Sequence, residues 1–171
     1  GVMYTSACLA MVHGYDIKDA QVSGLLHDCA KCIPNKKKLK MCSEHNIPVS
    51  DFERSHPFLL HSRLGAYIAH EKYGIDDQEI LSAINYHTTG RREMSLLEKI
   101  IYIADYLEPG RTELPNMADV RSLVFRDIDE CLYRILKDSL VYLETKHLPI
   151  DIMTEKTYLY YKETLKKQEE N

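Results

Sequence analysis

The sequence has 171 residues and a formal net charge of −4, which argues against a broad basic surface for nucleic acid. Its composition is that of an ordinary globular protein, and no apolar run reaches the length of a membrane span. We therefore expect neither a nucleic acid nor a membrane as partner. Five cysteines, an odd number, indicate reduced thiols rather than a disulfide framework and predict a soluble, cytoplasmic protein.

The N-terminal part of the chain predicts two helices. The first residues already have the character of a helix interior and lack an initiator methionine, so we expect further sequence upstream of Gly1. The first helix is predicted over residues 2–13, with Gly14 as its C-cap. Asp16 then caps a second helix, which carries apolar residues up to a His-Asp pair at 27–28.

Three helices with apolar faces are predicted in the middle of the chain. The first begins at Pro57 and ends at Gly74. The second is capped by Asp76 and runs to His87. The third opens with the capping box Ser95–Glu98 and is the most apolar helix of the sequence.

The C-terminal part predicts three more helices. Asn116 caps a short helix, and an amphipathic helix follows over residues 128–146. Thr154 is predicted to cap a last helix over residues 158–167. Because the sequence shows no alternating strand pattern, internal repeat or linker, we predict an all-α fold. It forms one domain of about eight to ten helices over residues 1–171.

Five imidazole and carboxylate side chains lie on or at the end of these apolar helices. Asp105 is inside the most apolar helix, where a carboxylate must be paired, hydrogen-bonded, neutral or bound to a metal. His27 and Asp28 end one helix, and His61 and His87 have apolar neighbours. Each residue alone is more simply a satisfied core or capping residue. Together they favour a divalent metal site built from facing helices.

Cations and a hydroxyl group suited to phosphate are attached to the same motifs. Lys31 is one helical turn past Asp28, Thr88 follows His87 directly, and Arg91 comes three residues after Thr88. Arg111 lies just beyond the helix that contains Asp105. Arginine can hold a phosphate group through two hydrogen bonds, although any one of these cations alone is more simply a surface charge.

The five residues, in this order and on helices, resemble the HD phosphohydrolase superfamily. Longer strings are similar to the bacterial YqeK-type HD proteins over nearly the whole chain, namely LHDCAK at 26–31, HTTGR at 87–91, LLEKIIY at 96–102 and ADYLEPGR at 104–111. The resemblance implies a single HD-type helical bundle. It also implies a metal-dependent enzyme that hydrolyses symmetrical dinucleoside tetraphosphates, chiefly diadenosine tetraphosphate, to two ADP, with iron in its site.

The resemblance also implies which residues bind the metal. His27, Asp28 and Asp105 bind the principal ion. His61 and His87 either bind a second ion or contact the substrate phosphates, and the sequence leaves both roles open.

Substrate contacts and catalytic roles follow from the same resemblance. Arg111 holds a phosphate group with assistance from Lys31, Thr88 and Arg91, and the loop at 147–153 closes over the nucleotide. In the reaction, Asp28 or Asp105 orients the attacking water. Lys31 or a protonated His then stabilises the departing ADP.

One family feature is absent from the sequence. The family has a further metal-binding His just before the Gly-Val pair that opens this chain. The histidines at 13, 45, 56 and 70 do not match its place. The domain is therefore expected to lack its N-terminal part, and a fragment without this ligand should hold metal more weakly.

Three alternatives remain open at the level of the sequence. One is an HD enzyme that acts on another nucleotide phosphate ester, and a second is a nucleotide-binding regulatory module with an incomplete metal site. The third is a structural zinc site, since Cys29 and Cys32, and Cys42 and His45, have the spacing of zinc ligands. The sequence does not distinguish a monomer from a homodimer.

Overall fold

The computed structural model describes residues 1–111 and 116–170, so Asn171, the end of the predicted domain, lies outside the described part. Within it the protein is entirely helical, with ten α-helices and a short 3-10 turn at 57–59. The helices are α1 (Val2–His13), α2 (Ile17–Leu26), α3 (Asn35–Glu44), α4 (Asp51–Ser55), α5 (Leu60–Tyr73), α6 (Gln78–Tyr86), α7 (Leu96–Leu107), α8 (Met117–Leu123), α9 (Ile128–Thr145) and α10 (Ile152–Glu169). The all-α prediction is confirmed.

Helix α7 lies at the centre of the main hydrophobic core. Most of its side chains are buried, and it packs against α1, α2, α6 and α9. Its first turn is fixed by the predicted capping box: Ser95 Oγ accepts from the Glu98 backbone N–H, and the Ser95 N–H donates to the Glu98 carboxylate. A helix buried on nearly every side exposes few positions to solvent, so the acid near its C-terminal end, Asp105, is drawn into the interior.

A smaller core supports the segment that carries the His-Asp pair. Ala30, Cys42, Leu60 and Leu64 are fully buried and join the turn after α2 to α3 and the start of α5. The N–H groups of Cys29 and Lys31 donate to carbonyls three residues earlier, so residues 27–32 form successive tight turns. This packing holds the turn against the N-terminal end of α5.

Several predicted helix boundaries are wrong by a few residues. Asp77, not Asp76, caps α6, and its side chain accepts from the N–H groups of Glu79 and Ile80. Asp151, not Thr154, caps α10, which starts at Ile152 and not at the predicted residue 158. In both cases two candidate capping residues lie close together, and the backbone path selects one of them.

The segment at residues 57–59 also differs from the prediction, because it forms a separate 3-10 turn before α5. Among the described residues, no helix combines the length and the apolar character that crossing a membrane requires.

Candidate active site

The five predicted metal ligands lie together where four helices end or begin. His27 is the C-cap of α2 and Asp28 follows it, His87 is the C-cap of α6, His61 is in the first turn of α5, and Asp105 is in the last turn of α7. We call these five residues the His–Asp cluster. The structure therefore brings side chains from distant parts of the sequence to one place, as the sequence predicts.

Distances within the His–Asp cluster are those of groups that share a small ion. His27 Nε2 lies 3.3 Å from Asp28 Oδ2 and 3.6 Å from Asp105 Oδ1. Asp28 Oδ1 lies 3.3 Å from His61 Nε2 and 3.6 Å from His87 Nε2. One ligand atom from each of His27, Asp28 and His87 falls within 4.8 Å of the others. Asp28 therefore lies between the two sides of the cluster, where a carboxylate can bridge two ions.

Each imidazole ring is oriented by a backbone carbonyl one turn earlier. The Nδ1 atoms of His27, His61 and His87 lie 2.7 Å from the carbonyl oxygens of Gly24, Phe58 and Ile84, respectively. A carbonyl only accepts, so each Nδ1 carries the proton. In a neutral ring Nε2 then presents its lone pair to the cluster. This is the tautomer that a metal site requires.

Some of the converging atoms have no hydrogen-bond partner among the described residues, and this bears on whether a metal ion fits between them. His27 Nε2 and Asp28 Oδ1 are buried and make no hydrogen bond among the described residues. The Nε2 atoms of His61 and His87 are only 3.2 Å apart, although two lone pairs repel each other unless a cation or a proton lies near them. Nitrogen and carboxylate oxygen donors suit a divalent transition-metal ion. The residues present therefore fit a divalent metal.

The two ionised carboxylates attract positive charge to the centre of the cluster. Without a metal this charge is a proton on His27 Nε2, and a metal ion that binds there takes the place of that proton. Burial raises the pKa of Asp28 and Asp105, but neighbouring His27, together with Lys31 at Asp28 and Arg111 at Asp105, lowers both below their ordinary value. Burial lowers the pKa of His27, and the carboxylates of Asp105 and Asp28 outweigh it and raise that pKa to about 9. Both carboxylates are therefore ionised at neutral pH.

His61 has the opposite environment from His27. Burial, and then the nearby His87 ring, lower the pKa of His61 to about 4. The ring of His61 is therefore neutral at pH 7, which is the form that can bind a metal through Nε2.

The predicted cationic and hydroxyl groups surround the His–Asp cluster, with one exception. Lys31 Nζ lies 2.6 Å from Asp28 Oδ2, and an Arg111 guanidinium nitrogen lies 3.0 Å from Asp105 Oδ1. Thr88 Oγ1 is within 3.4 Å of the Nε2 atoms of His61 and His87. Lys31 and Arg111 both remain partly exposed, so each can reach an anionic group of a substrate.

Arg91 is the exception, because it faces a different group. Its Nε donates to Glu98 Oε1 at 2.8 Å, and its guanidinium lies over the ring of Tyr86. Arg91 is not among the residues that line the cavities at the cluster. Gly90, with a φ of 64°, helps to turn the chain away from the site. In this structure Arg91 holds the start of α7, and its predicted contact with substrate is untested.

Two adjoining cavities open from the His–Asp cluster. The smaller, of about 260 Å³, is lined by Lys31, His61, His87 and Asp105, among others. The larger, of about 820 Å³, lies between α7, α9 and the segment before α10. The two cavities share lining residues, which are Thr88, Tyr102, Tyr106, Arg111 and Ser139. A ligand can therefore extend from the polar cluster into the larger space.

The sequence interpretation missed several residues of these walls. Tyr102, Tyr106 and Ser139 line both cavities, and Asp138 lines the larger one. The available signal was a pair of polar residues, Asp138 and Ser139, on the amphipathic helix α9. The loop predicted to cover a nucleotide contributes to the larger cavity through Leu148, Pro149 and Asp151.

The cysteine pairs do not form a zinc site in the described part of the chain. The residue group with metal-ligand spacing there is His27, Asp28 and His87, and it contains no cysteine. Cys29 Sγ is directed to the carbonyl of Gly65, and Cys42 is buried in the smaller core. All five cysteines are free thiols, so the zinc alternative finds no support in the geometry.

Comparisons with known proteins agree with this arrangement. The family model of the HD domain matches residues 1–110, a span that includes the whole His–Asp cluster. A protein of Bacillus subtilis (strain 168), named symmetrical bis(5'-nucleosyl)-tetraphosphatase, is 38% identical over 92% of this chain and 84% of its own length. A Staphylococcus aureus protein of the same name is 34% identical over 94% of this chain and 82% of its own.

A solved structure is also similar. It is from Clostridium acetobutylicum, is described as a predicted HD superfamily hydrolase involved in NAD metabolism, and is 36% identical to this chain. The superposition has a TM-score of 0.91 and covers 95% of this chain and 86% of that one. Because the family model covers most of the sequence and the relatives match almost all of it, the chain belongs to the HD-domain family, in its YqeK-type branch.

Proposed function

We propose that this protein hydrolyses symmetrical dinucleoside tetraphosphates, diadenosine tetraphosphate among them, to two nucleoside diphosphates in a metal-dependent reaction. The relatives that match nearly the whole chain carry the name of this activity. The observation that carries the proposal is the His–Asp cluster itself, with Lys31 and Arg111 beside its two carboxylates. Anion-binding groups next to a metal site suit the hydrolysis of a phosphate anhydride.

The cavities favour a substrate longer than a mononucleotide. The smaller cavity has the polar, cationic lining that phosphate groups need. The larger one has a volume in the range of small-molecule sites and is bordered by aromatic side chains such as Tyr102 and Tyr106. One nucleoside fits in the larger space while its phosphate chain crosses the cluster, and the other half of the substrate extends towards solvent.

Each residue then has a chemical task in this reaction. A divalent ion supplies Lewis acidity towards a phosphoryl oxygen and lowers the pKa of water. The Asp28 and Asp105 carboxylates are ionised at neutral pH. They accept hydrogen bonds from the attacking water and thereby orient it. Arg111 offsets charge on the non-bridging oxygens, and Lys31 stabilises the departing diphosphate.

Several finer assignments belong to the same proposal. We infer that iron is the native metal, since iron accepts imidazole and carboxylate as ligands. The site holds either one or two ions. We infer that His61 and His87 complete the site for a second ion or contact phosphate. We also propose that residues 1–171 form one HD domain. Its place is the cytoplasm, where five free thiols stay reduced.

Product analysis tests the proposed reaction. The purified protein, loaded separately with Fe²⁺, Mn²⁺, Co²⁺ or Zn²⁺, is incubated with diadenosine tetraphosphate and the products are separated by chromatography. We expect ADP as the sole product, and fastest turnover with iron. AMP together with ATP would instead mean an asymmetric cut and would overturn the proposal, as would a strong preference for nucleoside monophosphates.

A matched pair of arginine variants tests the phosphate contact. Arg111→Gln removes the guanidinium beside Asp105, whereas Arg126→Gln removes an exposed guanidinium that bonds Ser122. We expect kcat/KM to fall in the first variant by at least about 10-fold, since hydrogen bonds to charged groups contribute about 1.5–3 kcal/mol. The second variant should keep wild-type kinetics, and equal kinetics in both would remove Arg111 from the site.

A further inference from the structure

One aromatic side chain in the wall of the larger cavity is open to a ligand. Tyr142, on α9, lines this cavity and is 51% exposed. Tyr102 and Tyr106, which line both cavities, are by contrast buried, with 7% and 9% of their surface exposed. A ligand in the larger cavity can therefore contact much more of Tyr142 than of these two tyrosines.

Tyr142 lies within the wall that α9 contributes to the cavity and not at the edge of that wall. Its neighbours in the sequence, Val141 and Leu143, line the same cavity. Ser139 and Thr145, three residues to either side, line it as well. Because residues three apart share one face of a helix, the face of α9 that carries Tyr142 borders the cavity over two turns.

Within the described residues, the Tyr142 side chain makes neither a ring contact nor a hydrogen bond. Tyr133 and Tyr158, by comparison, stack on each other with ring centroids 5.7 Å apart. Phe58, which is also half-exposed in the cavity wall, meets the ring of His56 edge-on. The exposed apolar surface of Tyr142 is therefore left to solvent or to a ligand, and a ligand that excludes water from it gains free energy.

The position of Tyr142 relative to the His–Asp cluster suits the base of a nucleotide. Ser139 lines both cavities and so marks where the smaller one joins the larger one. Tyr142 is three residues further along α9, about 4.5 Å at the rise of an α-helix, and lines the larger cavity only. A nucleotide with its phosphates at the cluster extends its sugar, and then its base, into this larger space.

We propose that Tyr142 is a specificity-determining residue that binds the base of the nucleotide by stacking against it. Every base has a π-face, so a stacking contact accepts different bases, and its strength differs between large and small ring systems. Purine nucleotides are therefore bound more tightly than pyrimidine nucleotides. The inference rests on the proposed function, because that function places a nucleoside in the larger cavity. It adds the side chain that holds the base and the class of base preferred.

Binding of ADP and of inorganic pyrophosphate to the metal-loaded protein tests the inference without requiring turnover. Both ligands carry a diphosphate, but only ADP carries a base. In Tyr142→Ala we expect the Kd of ADP to rise by about 10-fold, within the range of base stacking on an aromatic side chain, and the Kd of pyrophosphate to stay unchanged. Isothermal titration calorimetry measures both constants. An unchanged Kd of ADP, or an equal rise for both ligands, would overturn the inference.

Two further variants separate the ring from other effects of the substitution. Tyr142→Phe keeps the ring and removes the hydroxyl, so it should bind ADP like the wild type. Tyr73→Ala is the matched control, since Tyr73 is 50% exposed on α5 and lines neither cavity, and it should also bind ADP like the wild type. A loss of affinity in Tyr142→Phe as large as in Tyr142→Ala would assign the contact to the hydroxyl and reject stacking.

The choice between bases gives an independent measurement. We expect the wild-type protein to bind ADP more tightly than UDP by about 3-fold or more, because the purine has the larger ring system. This ratio of affinities should fall towards one in Tyr142→Ala. Equal affinity of the wild type for ADP and UDP, or an unchanged ratio in the variant, would contradict the role given to Tyr142.

The two proposals can fail separately. If Tyr142→Ala weakens ADP but not pyrophosphate, and the wild type cleaves no dinucleoside tetraphosphate, base stacking stands and the proposed reaction fails. If the wild type cleaves diadenosine tetraphosphate to ADP, and Tyr142→Ala binds ADP like the wild type, the reaction stands and the role of Tyr142 is rejected. Circular dichroism of each variant establishes that the comparison is made between folded proteins.

Discussion

Two buried polar clusters lie at opposite ends of α7, and they differ in how their polar atoms are satisfied. At the N-terminal end Glu98 is almost completely buried, and its carboxylate accepts from Ser82, Arg91 and the Ser95 backbone. At the C-terminal end the His–Asp cluster brings nitrogen and oxygen atoms together, but His27 Nε2 and Asp28 Oδ1 make no hydrogen bond. We call Glu98 with its three partners the Glu98 network.

The comparison shows that a buried polar group can serve either the stability of the fold or the function of the site. A carboxylate whose acceptor sites are filled by the protein needs nothing from solution and stabilises the fold. Converging nitrogen and oxygen atoms without partners are unfavourable when buried, and a bound metal ion removes that free-energy cost by accepting their lone pairs. We therefore predict that substitutions in the His–Asp cluster, at the C-terminal end of α7, change function. Substitutions in the Glu98 network, at its N-terminal end, should change stability.

The largest expected effect is at Asp105. Asp105→Asn replaces an ionised carboxylate by a neutral amide, so metal binding and hydrolysis should both weaken. We expect kcat/KM to fall on the order of 1,000-fold, since a metal ion contributes several kcal/mol of transition-state stabilisation. The measurement is steady-state kinetics with diadenosine tetraphosphate at saturating metal.

A thermal assay provides a second readout for the same variant. Metal at about 100 times its Kd should stabilise the wild-type protein by about 2.7 kcal/mol, and the increase in Tm should be much smaller in Asp105→Asn. Asp119→Asn, with the same charge change on α8, serves as control. A full metal-dependent increase in Tm for Asp105→Asn would mean that this residue is not a ligand.

A smaller effect, of the opposite kind, is expected in the Glu98 network. Glu98→Gln leaves the Arg91 guanidinium without its charged partner and weakens the cap of α7, so the free energy of unfolding should fall by about 1–3 kcal/mol. Chemical denaturation measures this change. The kcat of the protein that remains folded should stay near the wild-type value, and a large loss of kcat at full folding would contradict the comparison.

The smallest expected effect concerns a third buried carboxylate, Glu53. Burial raises the pKa of Glu53, but hydrogen bonds from the Ser50 backbone and from Arg63 outweigh it, and the pKa lies below its ordinary value of 4.5. The ionised form therefore stabilises the folded state above about pH 4.5, and this stabilisation is lost as the pH falls through the lowered pKa.

The pH dependence gives a direct measurement at Glu53. At pH 7 Glu53→Gln should be less stable than the wild type by about 1 kcal/mol, and the gap should close as the medium becomes acidic. Glu44→Gln, at an exposed residue, should show no such change with pH. A gap that widens in acid would mean that the ionised form of Glu53 destabilises the folded state.

Much of the fold and of the site could be predicted because the signals are local. The capping box at Ser95 and the glycine after α1 fix helix ends within a few residues. Asp105 was informative because a carboxylate inside an apolar helix requires a partner. The cluster assembles because each ligand is at the end of a helix whose buried face the sequence already specifies.

The remainder depends on how helices pack against one another. Asp138 and Ser139 reach the larger cavity only through the rotation of α9 against α7, which periodicity does not determine. Arg91 follows His87 by four residues, yet the turn after α6 directs it to Glu98 and away from the cavities. Two side chains from one short motif thus belong to different clusters, and spacing along the sequence does not separate them.

The three carbonyl contacts of the histidines have a consequence for how the site responds to motion. Each ring is held by a carbonyl three residues earlier in the chain. The direction of its donor atom is therefore fixed relative to its own helix or, for His61, to the 3-10 turn that leads into α5. When one helix moves relative to another, the distances between the Nε2 atoms change, but the direction in which each ring points from its own backbone does not. Evolution can therefore tune which ion is preferred through the residues that space the helices, far from the ligands themselves.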